Sequence, residues 1–127
     1  MALGILFREK DGKKLPTRYF SGKQEKAVAA AVNGKQTVNS GATMFGGGGD
    51  VTTSLFTIEC KTKTSSSESI SIKKTWFEKT KAEATSDGRP YSALVFSFGP
   101  GEENHYIVDE YLFQELLEYL KIKHNTK

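Results

Sequence analysis

The sequence contains very little cysteine and histidine. Its 127 residues include one cysteine, Cys60, and two histidines. A lone cysteine excludes an intrachain disulfide, and these residues together are too few for a structural zinc site. A single free thiol fits a reducing compartment, so we expect a cytoplasmic protein.

Long apolar runs are also missing. No run approaches the roughly 18 apolar residues that a bilayer-spanning helix needs, so no membrane partner is expected. The apolar stretch near the start, residues 2–7, is short and its charges follow rather than precede it, which does not predict a signal peptide. The glycines at 46–49 are not followed by Gly-Lys-Ser/Thr, so the chain has no P-loop for nucleotides.

The composition supports one folded domain over residues 1–127. Hydrophobic residues make up 37% of the chain and include eight Phe and five Tyr, which is enough for a core. Residues 1–17 are a possible N-terminal arm and residues 122–127 a tail. Residues 1–40 carry eight Lys or Arg against three acids, whereas residues 101–127 carry six acids against three lysines. This asymmetry suits a polyanion such as DNA, although lysines also solvate ordinary surfaces.

Three segments have helical patterns. "FSGKQEKAVAAAVNGK" begins with Ser21 as a predicted N-cap, has Gln24 in a capping box, and ends at Asn33-Gly34. A second helix is predicted for "SISIKKTWFEKTKAEA" and a third for "DEYLFQELLEYLK". The residues expected to face the core are Ile72, Trp76, Thr80 and Ala84 in the second helix, and Leu112, Leu116, Leu117 and Leu120 in the third.

The remaining segments indicate strands. "KQTVNSGATMF" begins as a short strand, and "VTT" with "SLFTIECKTK" predicts a hairpin through Thr53-Ser54. "YSALVFSF" is apolar enough for a central strand, and "HYIV" fits an edge strand. "TRYF" is expected to be extended. The order of helix, three strands, helix, two strands and helix predicts an α/β fold with a mixed sheet flanked by helices.

One strand combines apolar and charged residues. Glu59 and Lys61 are two positions apart and share a face, while Ile58 and Cys60 point into the core. The hairpin would bring Asp50 beside Glu59, and two such carboxylates repel unless a divalent cation lies between them. With a lysine to orient water, this predicts metal-assisted phosphodiester hydrolysis on an open sheet face. The alternative is a surface salt bridge without function.

The order of these motifs resembles the PD-(D/E)XK nuclease superfamily, most closely the archaeal-type Holliday junction resolvases and related phage endonucleases. Glu25, "NSGA" at 39–42, Asp50, Glu59, Lys61 and the following helix and apolar strand occur in the order seen there. The resemblance covers about residues 18–98, and Gly49 replaces the usual proline. It implies a restriction-endonuclease-like fold and a DNA endonuclease.

The resemblance also implies roles for individual residues. Asp50, Glu59 and the backbone carbonyl of Cys60 would bind Mg²⁺, which Mn²⁺ would replace, and Glu25 would reach the site through water or a second metal. Lys61 would position the attacking water and offset charge on the phosphorane. The residues expected to contact DNA are Ser40, Lys23, Lys35, Lys63, Lys73 and Lys74. Cys60 and Trp76 are expected to be core residues.

The expected substrate is a branched four-way DNA junction, and the expected assembly is a homodimer because two opposed strands must be cut. Two alternatives remain from sequence. One is a restriction-like or repair nuclease with the same fold. The other is a DNA-binding or structural α/β protein without catalytic activity.

Overall fold

A computed structural model describes residues 9–10, 13–14, 17–37 and 49–126. From residue 17 onward its elements follow the predicted order, and two short strands that were not predicted precede them. The strands are β1 (Glu9–Lys10), β2 (Lys13–Lys14), β3 (Lys35–Gln36), β4 (Val51–Thr52), β5 (Phe56–Lys61), β6 (Tyr91–Phe96) and β7 (His105–Ile107), and the helices are α1 (Thr17–Val32), α2 (Lys74–Ser86) and α3 (Glu110–His124). No helix in the described ranges is long and apolar enough to cross a membrane.

The central feature is a mixed five-stranded sheet in the order β3-β4-β5-β6-β7. β5 and β6 are parallel and are joined through α2, whereas the other neighbours are antiparallel. The predicted central position of "YSALVFSF" and the predicted edge position of "HYIV" are both confirmed. β1 and β2 form a separate two-stranded ribbon on either side of Asp11-Gly12.

Helices cover both faces of the sheet. Ile58 and Cys60 belong to the core cluster with Val28 of α1, so α1 covers their face. Alternate residues of β5 point the other way, and there α2 packs on β5 and β6 through its buried Thr80 and Ala84. The predicted hairpin is confirmed, but its turn is at Ser54-Leu55 rather than Thr53-Ser54, because Thr53 N donates to Phe56 O at 3.0 Å. The fold is therefore α/β, as predicted.

The start of α1 differs from the sequence prediction. The helix begins at Thr17, so "TRYF" is its first turn rather than an extended segment. Ser21 is not an N-cap, because it lies inside the helix and its hydroxyl donates to Arg18 O at 3.2 Å. The predicted end is confirmed, since Asn33 has a left-handed backbone with φ of 56°.

The other two helices also depart from prediction. α2 begins only at Lys74, so the Ile72 position precedes the helix. α3 continues to His124 with Asn125 as a left-handed C-cap, so the first half of the expected tail is helical. Its predicted core stripe is wrong beyond Leu112, the one buried residue of this helix. Leu116, Leu117 and Leu120 are 44%, 41% and 44% exposed.

Candidate active site

Asp50 lies where pairing between β4 and β5 ends. The register pairs Val51 with Ile58, and Asp50 is the residue that precedes this last pair. Asp50 N donates to Ile58 O at 2.8 Å. The next donor along β5 is the N–H of Cys60, which is bonded to Asp50 Oδ2 at 2.8 Å. The side chain of Asp50 thus replaces a backbone acceptor and is fixed against the strand that carries Glu59.

Gly49 makes this position of Asp50 possible. It has φ of +81°, a conformation that glycine adopts without steric cost. A Cβ at this position would lie 3.1 Å from Ile58 O and closer still to the side chain of Thr57. The glycine is therefore required by its approach to β5. The other three glycines of the run, at 46–48, lie outside the described residues.

Glu59 and Lys61 form an ion pair on the β5 face that α2 covers. Glu59 Oε2 lies 3.1 Å from Lys61 Nζ. The prediction of an open face is wrong for Glu59, which is only 8% exposed. A buried ionised carboxylate requires a compensating partner, and Lys61 supplies one. The pair therefore differs from a solvent-exposed surface salt bridge.

The first turns of α2 place an aromatic ring and further cations beside this pair. Lys61 Nζ lies 4.5 Å from the ring centroid of Trp76, and Lys73 Nζ lies 6.0 Å from it. Trp76 is only partly buried, so it is not simply a core residue. It holds the ammonium group of Lys61 through a cation–π contact, which limits the positions that the lysine can adopt.

Glu25 of α1 lies within electrostatic range of the same site. Burial raises the pKa of Glu25, and the charge of Asp50 raises it further, while Arg18 and a hydrogen bond with Gln36 oppose the shift. Burial also raises the pKa of Asp50, followed by the charge of Glu59. The structure thus brings together the four residues predicted to be catalytic, and their carboxylates repel one another.

Cys60 contributes its backbone rather than its thiol. Its side chain is buried in the core cluster. Burial raises the pKa of the thiol, and the carboxylates of Asp50 and Glu25 raise it further. The thiol therefore stays protonated and is a poor nucleophile, as the sequence predicts.

The donor set fits a hard divalent cation. Among the residues with described positions, no group of three or more His, Cys, Asp or Glu side chains is arranged to hold a metal ion. Mg²⁺, however, commonly binds through one or two carboxylates and completes its shell with water and substrate phosphates. Asp50 and Glu59 provide such a pair. The N–H and C=O of a strand residue point to the same side, so the Cys60 carbonyl faces the strand edge where Asp50 lies.

No family model, curated protein or solved structure matches this chain. The chemistry of the site therefore has to be argued from its own residues. The likeness to the nuclease superfamily, which depends on the motif order, stays a prediction.

The residues predicted to contact DNA are not all gathered at the site. Lys73 is beside Trp76, and Lys74 is exposed on the next position of α2. Lys35 is exposed on β3. Lys63 Nζ donates a hydrogen bond to Ser67 Oγ at 3.5 Å. Lys23 Nζ contacts both the ring and the hydroxyl group of Tyr19. Ser40 lies outside the described residues.

Sequence reasoning missed two supporting residues. Gln24, predicted as half of a capping box, is buried instead and its Nε2 donates to Lys61 O at 2.7 Å. It therefore anchors the end of β5 to α1. Lys79 of α2 carries a positive charge that lowers the pKa of Asp50. Only its spacing of three residues from Trp76 could have indicated that it faces the site.

Mutual repulsion among the carboxylates predicts an effect on stability. Because the pKa of Asp50 is raised in the folded protein, its contribution to stability is present at low pH and is lost as pH rises through the folded pKa. We expect Asp50→Asn to raise the free energy of unfolding by about 0.5–2 kcal/mol at pH 8 in EDTA. The gain should be smaller at pH 4.

Urea denaturation at both pH values measures this effect. Glu103→Gln is the matched control, since Glu103 is an exposed acid far along the chain from the site. Added MgCl₂ should stabilise the wild-type protein but not Asp50→Asn. An Asp50→Asn variant less stable than the wild type at pH 8 would contradict the repulsion.

Proposed function

We propose that this protein is a metal-dependent endodeoxyribonuclease that hydrolyses phosphodiester bonds. The observation that carries the proposal is the convergence at β5 of Asp50, Glu59 and Lys61, with Glu25 in electrostatic range. Burial and the charge of Glu59 raise the pKa of Asp50, and a carboxylate with a perturbed pKa beside a second acid is favoured by function rather than stability. Beside them, an ammonium group held by a carboxylate and an indole ring suits a reaction in which negative charge develops on phosphate.

The metal would be held by Asp50 and Glu59, with the carbonyl of Cys60 as a further ligand. When bound, Mg²⁺ would neutralise charge on the phosphate and promote ionisation of water. Glu25 would extend the acidic side of the site. Mn²⁺ uses the same oxygen ligands and should replace Mg²⁺.

The protein's own groups would orient the reaction. Lys61 would position the attacking water and stabilise the charge that develops on the phosphorus oxygens. Its ammonium group is fixed from two sides, by Glu59 at 3.1 Å and by the ring of Trp76 at 4.5 Å. Gln24 fixes the backbone of the same residue. Pre-organised groups of this kind accelerate a reaction more than mobile ones do.

DNA as the substrate is supported by basic residues. Residues 1–40 have an excess of five positive charges in the sequence, and Lys73 lies against Trp76, the ring that also contacts Lys61. Phosphate backbones bind such lysines without regard to sequence. We further propose a four-way junction as the preferred DNA, since the motif order resembles that of junction resolvases.

A cleavage assay tests both the proposed nuclease activity and the proposed preference for four-way junctions. The full chain is incubated with end-labelled four-way junction, flap and linear duplex DNA in MgCl₂, MnCl₂ or EDTA. We expect cleavage with either metal, none in EDTA, and paired symmetric nicks in the junction. Preference for linear DNA would remove the resolvase assignment and leave the nuclease. No cleavage of any DNA with either metal would overturn the proposed activity.

A further inference from the structure

Helix α3 presents a row of exposed apolar side chains. Phe113, Leu116, Leu117 and Leu120 are between 41% and 54% exposed. Their spacing of i, i+3, i+4 and i+7 puts them in one line, which we call the α3 seam. The same spacing is used where two helices pack together. Leu112, the residue that anchors α3 to the domain, lies beside the seam and not in it.

The attachment of α3 to the domain leaves this seam available. Besides the buried Leu112, α3 is held to the domain by a hydrogen bond of 2.8 Å from the hydroxyl of Tyr91 to Glu115 Oε2. At about 100° per residue, Glu115 lies on the opposite side of Leu112 from the seam. The domain therefore holds one side of α3, and the apolar seam is presented on another.

We propose that the α3 seam binds the α3 seam of a second copy of this chain in an antiparallel, two-fold pair. A seam centred between Leu116 and Leu117 is self-complementary, since Leu116 would meet Leu117 of the other copy and Phe113 would meet Leu120. Each copy supplies the same patch, as a closed two-fold dimer requires. Burial of these side chains supplies the driving force.

The charges on α3 favour the antiparallel direction. Its first turn carries Glu110 and its last turn carries Lys121, Lys123 and His124. Glu110 and Lys121 are about three turns apart and lie on the same flank of the seam. In an antiparallel two-fold pair like flanks face each other, so Glu110 of each copy faces Lys121 of the other. A parallel pair would instead put both acidic first turns at one end and both basic last turns at the other, and antiparallel helix dipoles also attract.

This dimer does not depend on the proposed nuclease activity. A single pair of short helices buries less than the roughly 800 Å² per partner of a standard stable interface. We therefore expect association in the micromolar range. Sedimentation velocity from about 1 to 100 μM on the full chain measures it without any DNA or metal.

Substitution on either side of α3 provides matched variants. Leu120→Glu should weaken dimerisation at least about 100-fold, because each dimer contains two copies of the change within its apolar contact. Ile122→Glu makes the same change two residues away at a side chain that is 80% exposed on the opposite side of the helix, and it should leave dimerisation unchanged. Circular dichroism checks that both variants are folded.

Cysteine cross-linking tests the direction of the pair. Native Cys60 is buried and does not compete. Leu117→Cys should give a disulfide-linked dimer on oxidation, because the two copies lie next to the two-fold axis. Phe113→Cys should not, since its two copies would be about 10 Å apart along the axis, beyond the roughly 7 Å that a disulfide spans.

The outcomes separate the alternatives. A wild-type monomer at 100 μM overturns the proposal, and would be the result if another segment of the chain, such as residues 3–7, covered the seam. Cross-linking at both positions would overturn the antiparallel arrangement. Equal weakening by Leu120→Glu and Ile122→Glu would overturn the assignment of the seam as the contact.

Discussion

Glu59→Gln is expected to reduce metal-dependent DNA cleavage by about 10²- to 10³-fold or more. The substitution keeps the size of the side chain and an oxygen that faces Lys61, so the fold should be retained. It removes one of the two charges that would hold Mg²⁺. Because Glu59 is only 8% exposed, an acid on the protein surface cannot easily take its place.

Single-turnover cleavage of saturating junction DNA in MgCl₂ measures this loss. Glu68→Gln is the matched control, since Glu68 is an exposed acid in the loop that follows β5. Its rate should equal that of the wild type. Wild-type cleavage by Glu59→Gln, with an intact circular dichroism spectrum, would remove Glu59 from the metal site.

Lys61→Met should slow the cleavage step by about 10²- to 10³-fold while changing DNA affinity very little. Methionine keeps an unbranched apolar side chain of similar length but removes the ammonium group that contacts Trp76. Since that group is held at 3.1 Å from Glu59, its role is local to the reacting phosphate. Single-turnover rates at saturating DNA and equilibrium binding in CaCl₂ separate the two effects.

The Lys73→Ala/Lys74→Ala double variant is the complementary control for binding. Both residues are exposed at the start of α2, so they should contact phosphates rather than the reacting group. Affinity should fall for all DNA sequences, and the slope of log K against log salt should decrease by about 0.9 for each lost phosphate contact. A salt slope equal to that of the wild type would contradict their role in binding, and a large loss of affinity in Lys61→Met would contradict its role in chemistry.

The hairpin and its residues were predictable from sequence because they depend on local rules. Alternation along "FTIECK" assigns Ile58 and Cys60 to one face and Glu59 and Lys61 to the other. The short turn at Ser54-Leu55 then sets the register, and this register brings the end of β4, with Asp50 before it, against the strand that carries Glu59. Neither step needs knowledge of the rest of the fold.

The start of α1 could not be predicted from its capping signal. A capping residue contributes about 1 kcal/mol, whereas burying a phenylalanine side chain contributes about 1.5–3 kcal/mol. Starting at Thr17 makes Phe20, Gln24 and Val28 one buried line at i, i+4 spacing. The burial of Phe20 contributes more than the cap would, so the helix begins at Thr17. Ser21 is then an interior residue of the helix, and Gln24 can reach β5.

The spacing of apolar residues along a helix also does not predict what packs against that face. The leucine pattern of α3 correctly indicates which side chains share a face. It does not indicate whether that face meets the sheet, because this depends on where β7 ends and how α3 leaves it. For the same reason, the cover that α2 provides over Glu59 was not predicted, since it depends on the crossover between two parallel strands.

That crossover determines the order in which the site can assemble during folding. Val51 and Ile58 are seven residues apart, whereas each pair between β5 and β6 is 35 residues apart. Local contacts form sooner than distant ones, because closing a long loop costs more chain entropy. The hairpin can therefore bring Asp50 and Glu59 together while water still screens their charges. Their transfer into the protein interior waits for β6 and α2, so the late stage of folding is the one that bears the electrostatic cost.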